Sequence, residues 1–221
     1  MTKFVILVIA SKNNERENNL VNFWRQLINK YEQISDIDTY LLFNNETINN
    51  EYIINKDKNK IIFREAETFI PGILNKTIKA FELLKNDYEI FFRTNLSSYI
   101  DYKKIITIFN ELLNYKYVYG GIKNRKRKYF ASGSGFFISK SVLNDYLLKE
   151  NLLNIDIIDD YIIGIVLLKY MNNIYYYEGR RADLHGKIRN FHNICNNYHY
   201  RLKNEIHNIE KYNFVFLLSN T

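Results

Sequence analysis

The chain has 221 residues, of which 47% are hydrophobic and 25% are charged, and this balance excludes a disordered or collagen-like protein. A chain of this length buries roughly 70% of its unfolded surface, so we predict a single domain over residues 1–221. The single cysteine, Cys195, excludes an internal disulfide. The net charge of +7 suits a nucleic acid, an anionic membrane surface or a small polyanion such as a nucleoside diphosphate.

The first half alternates short apolar runs with amphipathic segments. Four apolar runs predict strands, at 3–10, 39–43, 60–64 and 88–93. Helical spacing of apolar residues predicts helices at 14–30 and 72–84, and the polar residues 44–60 predict a loop. The first run is too short to span a membrane and no cleavage site follows it. This order predicts an α/β fold built on parallel strands.

The second half continues the alternation less regularly. Strands are predicted at 117–119, 130–139 and 174–177, and helices at 102–113, 140–149 and 159–171. Residues 179–204 are polar, aromatic and basic.

Polar residues follow the fourth strand, at Thr94, Asn95, Ser97 and Ser98. Ligands of open α/β sheets bind beyond the carboxyl ends of strands, so these residues are candidates for contact with a nucleotide or a metal. The alternative is that Ser97 or Ser98 caps the helix that follows.

Small residues mark the segment Ser132–Ser139, with Gly133, Ser134 and Gly135 in succession. It lacks the Lys-Ser/Thr of a phosphate loop. Its small residues permit close approach of a ligand or of another backbone, and a bulged strand is an equal alternative.

Two adjacent carboxylates, Asp159 and Asp160, begin an apolar helix. A carboxylate at a helix start that faces a cleft is well placed to accept a proton. The alternative is capping of the free N–H groups of the first turn.

Basic residues concentrate in two places. The stretch 123–128 has five charges in six residues, which favours a solvated loop; no nucleic-acid-binding module accompanies it. An extended segment would place His199, Arg201 and Lys203 on one face, which suits a diphosphate or, alternatively, an exposed edge strand with protective charges. His185 and His192 have no partner ligands at fixed spacing, so a zinc site is not expected.

Four segments in chain order resemble the β-1,3-galactosyltransferase and Fringe-like glycosyltransferases. These are Val8–Ser11 with Arg16 and Trp24, then Ile73–Thr77, Ser132–Ser139 and Asp159–Gly164. The resemblance covers residues 5 to 164. It implies a GT-A fold, which is a Rossmann-like α/β/α sandwich with a mixed, mostly parallel sheet, and an inverting transfer from a nucleotide-sugar.

The resemblance also implies roles for individual residues. Asp160 would be the general base, with Asp159 as its supporting neighbour, or as the base itself if the match is shifted by one position. The nucleotide-sugar would be bound by Ser11, Arg16, Lys76, Arg93, Thr94, Asn95, Ser97, Gly133, Ser134, Gly135, Arg201 and Lys203. The donor would be a UDP-sugar and the acceptor a glycan, glycoprotein or glycolipid. Because no anchor or signal is recognised in the sequence, we expect the protein to act in the cytoplasm of a bacterial or virus-infected cell, or to be brought to a membrane by a partner. No nucleic acid or transmembrane segment is expected.

One departure concerns the metal. The family carries an Asp-x-Asp that holds Mn²⁺ after the fourth strand, whereas this chain has no carboxylate there before Asp101. We therefore expect Arg201 and Lys203 to replace the cation, as basic residues do in metal-independent enzymes of the core-2 type, with Mn²⁺ or Mg²⁺ not required. The competing hypotheses are an inactive binding protein with the same fold and a basic nucleic-acid-binding protein.

Overall fold

The structure, a computed structural model, describes residues 3–31, 36–123, 130–183 and 197–201. Within these ranges the strands are β1 (Phe4–Ile9), β2 (Ile37–Asn44), β3 (Tyr52–Asn55), β4 (Lys60–Phe63), β5 (Ile90–Asn95), β6 (Ser98–Ile100), β7 (Val118–Lys123), β8 (Ala131–Ser139), β9 (Tyr175–Gly179), β10 (Arg181–Asp183) and β11 (His199–Arg201). The α-helices are α1 (Glu15–Tyr31), α2 (Gly72–Leu84), α3 (Tyr102–Leu112), α4 (Lys140–Asp145) and α5 (Asp159–Leu168).

The central sheet has the strand order β3-β4-β2-β1-β5-β8-β7-β9. Strands β1, β2, β4, β5, β7 and β9 run in one direction, and β3 and β8 run against them. The mostly parallel sheet predicted from the alternating pattern is confirmed. A smaller sheet has the order β10-β11-β6.

Both faces of the central sheet are covered, as its apolar strands require. Every side chain of β1 is buried. Phe4, Ile6 and Val8 pack in one core with α1 and α3, while Val5 and Leu7 pack in a second core with α2, α4 and α5. Alternating side chains of one strand thus supply two cores, which gives the expected α/β/α sandwich.

Two segments differ from the sequence-based expectation. Residues 44–60 were predicted as a loop but contain strand β3. Its Tyr52, Ile53 and Ile54 are exposed at the sheet edge. Because neither face of this strand is buried, its sequence lacks the alternation of apolar and polar residues that predicts a strand. Ser97 and Ser98 do not cap a helix. Instead Ser98 begins β6, and Asp101 caps α3 by accepting a hydrogen bond from the Lys104 N–H at 3.2 Å.

The late basic segment also differs. Strand β11 is not an edge strand, because β10 pairs with it on one side and β6 on the other. The predicted helices 140–149 and 159–171 end earlier, at Asp145 and Leu168, and each is followed by a short 3₁₀ turn. In the part of the chain that the structure describes, no helix has the length and apolarity needed to cross a membrane.

Helix α1 is joined to the loop after β5 by Trp24. This side chain is fully buried and its Nε1–H donates to the Leu96 carbonyl at 3.1 Å. Leu96 is itself buried, so its carbonyl depends on this donor. Trp24 therefore holds α1 against the loop that leaves the end of β5.

We expect Trp24→Phe to lower the free energy of unfolding by about 2–4 kcal/mol, because it leaves a buried acceptor without a donor and creates a cavity. Chemical denaturation followed by circular dichroism measures this. The matched control is Asn22→Ala on the exposed side of α1, which should stay within about 0.5 kcal/mol of the unmodified chain. Equal stabilities for the two variants would contradict this role of Trp24.

Candidate functional site

The carboxyl ends of β1 and β5 meet the beginning of β8 at one edge of the sheet. Ile9 and Asn95 are partners in the parallel β1–β5 ladder, and Thr94 lies opposite Gly135 of antiparallel β8. The polar residues that follow β5 and the small residues of β8 therefore lie together, although they are about 40 positions apart in the chain. This is the cleft position that open α/β sheets use for ligands.

Strand β8 is bulged at this edge. Against β7, Phe136 pairs with Gly121 and Ala131 pairs with Lys123, so residues 132–135 stand opposite Ile122 alone. A bulge turns peptide groups away from the ladder. Here the freed peptide groups of Gly133 contact side chains: its N–H donates to Asp160 and its carbonyl accepts from Arg93. The bulged-strand alternative is confirmed.

Arg93 is the centre of the site. Its side chain is almost fully buried and its guanidinium lies over the Phe136 ring, 5.9 Å from the ring centroid. The guanidinium donates to Asp159 Oδ2 and to the Gly133 carbonyl. One side chain thus connects the middle of the sheet, the first turn of α5 and the bulge of β8.

The two carboxylates of α5 have different environments. Asp159 is buried and pairs with Arg93; burial raises the pKa of Asp159 above its usual value, while the Arg93 charge opposes that rise. Asp160 is half-buried, and its Oδ2 accepts the Gly133 N–H at 2.7 Å. Asp159 thus faces Arg93, whereas the carboxylate of Asp160 is turned toward the bulge.

Hydroxyl groups surround the end of β5. Thr94 Oγ1 donates to the Ser134 carbonyl at 2.7 Å. The hydroxyls of Ser97 and Ser98 donate to Asn95 Oδ1 at 3.0 and 3.2 Å. Asn95 Nδ2 faces the Gly133 carbonyl at 3.5 Å. The candidate residues after β5 therefore form one connected hydrogen-bond network with β8.

The residues at this position do not fit a divalent cation. Hard cations need anionic or unengaged oxygen ligands. Asn95 Oδ1 already accepts two hydroxyls, and Asp159 is neutralised by Arg93. Among the residues the structure describes, no group of three His, Cys, Asp or Glu side chains is placed to hold a metal.

Lys76 lies beside the end of β1, inside the protein rather than on its surface. Its ammonium donates to the Ala10 carbonyl at 3.1 Å and to Glu67 at 2.7 and 2.9 Å. Burial lowers the pKa of Lys76, and the Glu67 carboxylate opposes this. Glu67 also accepts the Asn44 N–H at 3.2 Å, so the pair joins the ends of β1 and β2. The ammonium of Lys76 is engaged within the protein.

An open pocket of about 280 Å³ lies at the ends of β1 and β2. Its lining comprises Lys12, Asn13, Phe43, Asn44, Asn45, Lys60, Ile62 and Glu67. Lys12 Nζ lies 5.4 Å from the Phe43 ring centroid, and burial together with neighbouring cations lowers its pKa. The sequence-based candidates missed this lining, although Asn44 and Asn45 directly follow an apolar strand, which is the signal that identified the residues after β5.

The remaining candidates are placed as follows. Ser11 is half-buried next to this pocket's Lys12, and Arg16 is exposed on the first turn of α1. Arg201 is the β11 partner of Ser98, so its backbone lies beside the cleft. His199, expected on an exposed face, is instead fully buried against Ser98. Lys203, His185, His192 and residues 124–128 lie outside the described residues.

A mostly parallel sheet covered by helices on both faces, with one reversed strand beside the cleft, is the GT-A architecture, and the predicted fold class is confirmed. A glycosyltransferase involved in the glycosylation of the major capsid of PBCV-1 has a similar structure, with a TM-score of 0.58, 12% identity and coverage of 97% of this chain and 99% of that chain. The galactosyltransferase LgtC, solved with donor and acceptor sugar analogs, is similar with a TM-score of 0.52, 8% identity and coverage of 98% and 95%. At these identities the likeness establishes the fold. Neither a protein-family model nor a curated protein matches the sequence.

The Arg93–Asp159 pair generates a stability prediction. Arg93→Met should lower the free energy of unfolding by about 3–5 kcal/mol near pH 8, because it leaves a buried carboxylate without its cation. Without Arg93 the pKa of Asp159 rises further, so the folded protein retains a proton that the unfolded chain releases. Stability then falls as pH rises, and the deficit should shrink as the pH is lowered toward 5.

Urea denaturation at several pH values measures this deficit. Arg93→Met with Asp159→Asn should recover much of the loss, because no buried charge remains. Lys140→Met removes an exposed ion pair with Glu89 and should cost less than about 1 kcal/mol. A deficit for Arg93→Met that does not change with pH would show that Asp159 is not the group left unpaired.

Proposed function

We propose that the protein is an inverting glycosyltransferase that moves a sugar from a nucleotide-sugar to an acceptor hydroxyl. The observation that carries the proposal is the half-buried carboxylate of Asp160 at the carboxyl edge of a GT-A sheet, held by the Gly133 N–H next to a buried Asp159–Arg93 pair. The sequence resemblance implies UDP as the nucleotide. The proposed acceptors are glycans, glycoproteins or glycolipids, and nucleic acid has no role.

The pocket at the ends of β1 and β2 is our candidate for the nucleoside. Phe43 offers an aromatic ring, and Asn44 and Asn45 offer amide groups that suit the polar edge of a base. Lys12 adds positive charge on the side that faces Phe43. The pocket lies next to the end of β1, so a diphosphate attached to the nucleoside would extend toward Asn95 and Gly133.

Asp160 is our candidate for the general base. An inverting displacement forms a bond between the acceptor oxygen and the anomeric carbon while the bond from that carbon to the diphosphate breaks. The acceptor proton goes to the Asp160 carboxylate. Among the described residues, the hydrogen bond from Gly133 orients Oδ2 of Asp160, and the other oxygen, Oδ1, is the proposed partner of the acceptor hydroxyl. Arg93 and Asp159 are neutralised by one another, so they add little net charge next to the base.

The leaving diphosphate needs compensating positive charge. Because the residues after β5 do not fit a divalent cation, we propose a metal-independent enzyme in which cationic side chains and N–H donors take this part. Arg201 is our candidate for this cationic side chain, because its strand, β11, pairs with β6 at Ser98. Lys203, two positions later in the sequence, is the second candidate. Guanidinium groups bind phosphate oxygens in a bidentate manner.

Asp160→Asn tests the base. The substitution keeps the side-chain shape but removes the proton acceptor, so kcat should fall by about 10²–10⁴ while the Kd for UDP stays unchanged. Release of UDP from a panel of UDP-sugars measures transfer, and calorimetry measures binding. The control is Asp156→Asn, an exposed carboxylate four positions earlier, which should behave as the unmodified protein.

Two other outcomes of this experiment have clear meanings. Retained turnover in Asp160→Asn would remove Asp160 from the mechanism. Binding of UDP without transfer from any donor in the panel would favour the inactive binding protein that shares this fold.

Metal independence has its own test. Turnover should be the same in excess EDTA and in the presence of Mn²⁺, because among the described residues no group of three His, Cys, Asp or Glu side chains is placed to hold the cation. Initial rates of UDP release measure this. Loss of turnover on chelation, with recovery on addition of Mn²⁺, would contradict metal independence and the role of Arg201.

A further inference from the structure

The smaller sheet brings a histidine from the late segment against the end of β5. His199 lies in β11, and its fully buried ring meets Phe92 edge-on, at 6.2 Å between centroids and 89° between planes. Its Nε2 lies 2.9 Å from the Ser98 hydroxyl oxygen. The two residues are 101 positions apart, so only the folded chain places them together.

The hydrogen bonds of Ser98 define the direction of this contact. The Ser98 hydroxyl has one hydrogen, and it lies 3.2 Å from Asn95 Oδ1 and 3.3 Å from the Ser134 carbonyl. Both of these oxygens only accept. The Ser134 carbonyl already accepts from Thr94, so we assign the Ser98 hydrogen to Asn95 Oδ1. In this arrangement His199 Nε2 carries a hydrogen and donates it to the Ser98 oxygen.

Asn95 is oriented by the same network. Its Oδ1 accepts from Ser97 and Ser98, and its amide nitrogen faces the Gly133 carbonyl. The reversed amide would place two acceptor oxygens against each other at Gly133, so the network selects one orientation. Among the described residues, the Gly133 carbonyl takes one of the two amide hydrogens, and the other is available to a ligand in the cleft.

We propose that His199 is a positioning residue which, through Ser98, holds Asn95 with its amide hydrogens toward the bound donor, where they bind a diphosphate oxygen. The inference rests on the proposed function. In the resembled family, a carboxylate at this position binds a metal ion that in turn binds the diphosphate. Here the amide of Asn95 would donate a hydrogen bond to the diphosphate directly. The late strand β11 is then part of the donor site.

The packing of the His199 ring provides an independent way to disturb it. A Cβ at Gly135 would lie 2.8 Å from His199 Cε1, 2.9 Å from Nδ1 and 2.8 Å from Phe92 Cζ. Such distances force the rings to move. Gly135→Ala therefore displaces His199 without removing any polar group.

The experiment is a double-mutant cycle read out by the Kd for UDP. Loss of one hydrogen bond to a charged ligand typically costs a factor of ten or more, so His199→Phe and Asn95→Ala should each weaken UDP binding about tenfold. If His199 acts through Asn95, the double variant should bind no worse than Asn95→Ala alone. His199→Gln, which can still donate to Ser98, should restore most of the affinity.

The matched control is Tyr200→Phe. This neighbour of His199 in β11 is also buried and donates to the Asn197 carbonyl at 2.7 Å, so its loss costs a comparable hydrogen bond without touching Ser98. It should leave the Kd for UDP unchanged. If His199→Phe does not fold, Gly135→Ala takes its place in the same cycle, with the same expected coupling to Asn95→Ala.

The possible failures are distinguishable. Unmodified protein that binds UDP with the same Kd as His199→Phe overturns the inference and leaves the proposed function intact. Additive effects of His199→Phe and Asn95→Ala also overturn it, since they assign His199 a general structural role. Unmodified protein that binds no UDP, and transfers no sugar from the donor panel, overturns the proposed function and this inference with it.

Discussion

The buried ion pair between Arg93 and Asp159 is the constraint on which the site depends. It joins β5, in the middle of the sheet, to α5, the helix that carries the candidate base. The Gly133 peptide contacts both elements, because its carbonyl accepts from Arg93 and its N–H donates to Asp160. Such a pair is an expensive way to stabilise a fold, because desolvation of two charges offsets much of their attraction, and apolar residues often serve as well. What the pair supplies here is geometry: the bulge of β8 and the first turn of α5 are held to the same guanidinium.

A second ion pair, between a buried lysine and a half-buried carboxylate, lies at the ends of β1 and β2. Lys76 and Glu67 join the ends of β1 and β2 as Arg93 and Asp159 join β5 and α5. Each buried cation has its own carboxylate, so neither contributes a full charge to a ligand. The net charge of +7 therefore does not by itself make the site positively charged. The cations that remain near it are more accessible ones, such as Lys12 beside the pocket.

The sequence predicted the parts of the fold whose signal is local. The strands of the sheet centre are continuous apolar runs because both their faces are buried, and α1 and α2 bury one periodic face. Strand β3 was missed since it is an exposed edge, and β6 was missed since its three residues are stabilised by β11, about a hundred positions later. The candidate base was found from two adjacent carboxylates. By contrast, the partners of Arg93, Lys76 and His199 depend on tertiary contacts that no spacing in the sequence encodes.

The chain has no carboxylate between the end of β5 and Asp101, and the neighbouring groups there engage the amide of Asn95. At this position the chain has hydroxyls at Ser97 and Ser98 that occupy the oxygen of Asn95, and a bulge at Gly133 whose carbonyl attracts its nitrogen. A lone exchange of a carboxylate for an amide would leave the amide free to turn either way. The surrounding donors and acceptors favour one orientation, in which the amide nitrogen of Asn95 faces Gly133 and its oxygen faces the two hydroxyls. An amide held in this way is a hydrogen-bond donor, and the proposed direct binding of a diphosphate without a metal ion depends on such donors.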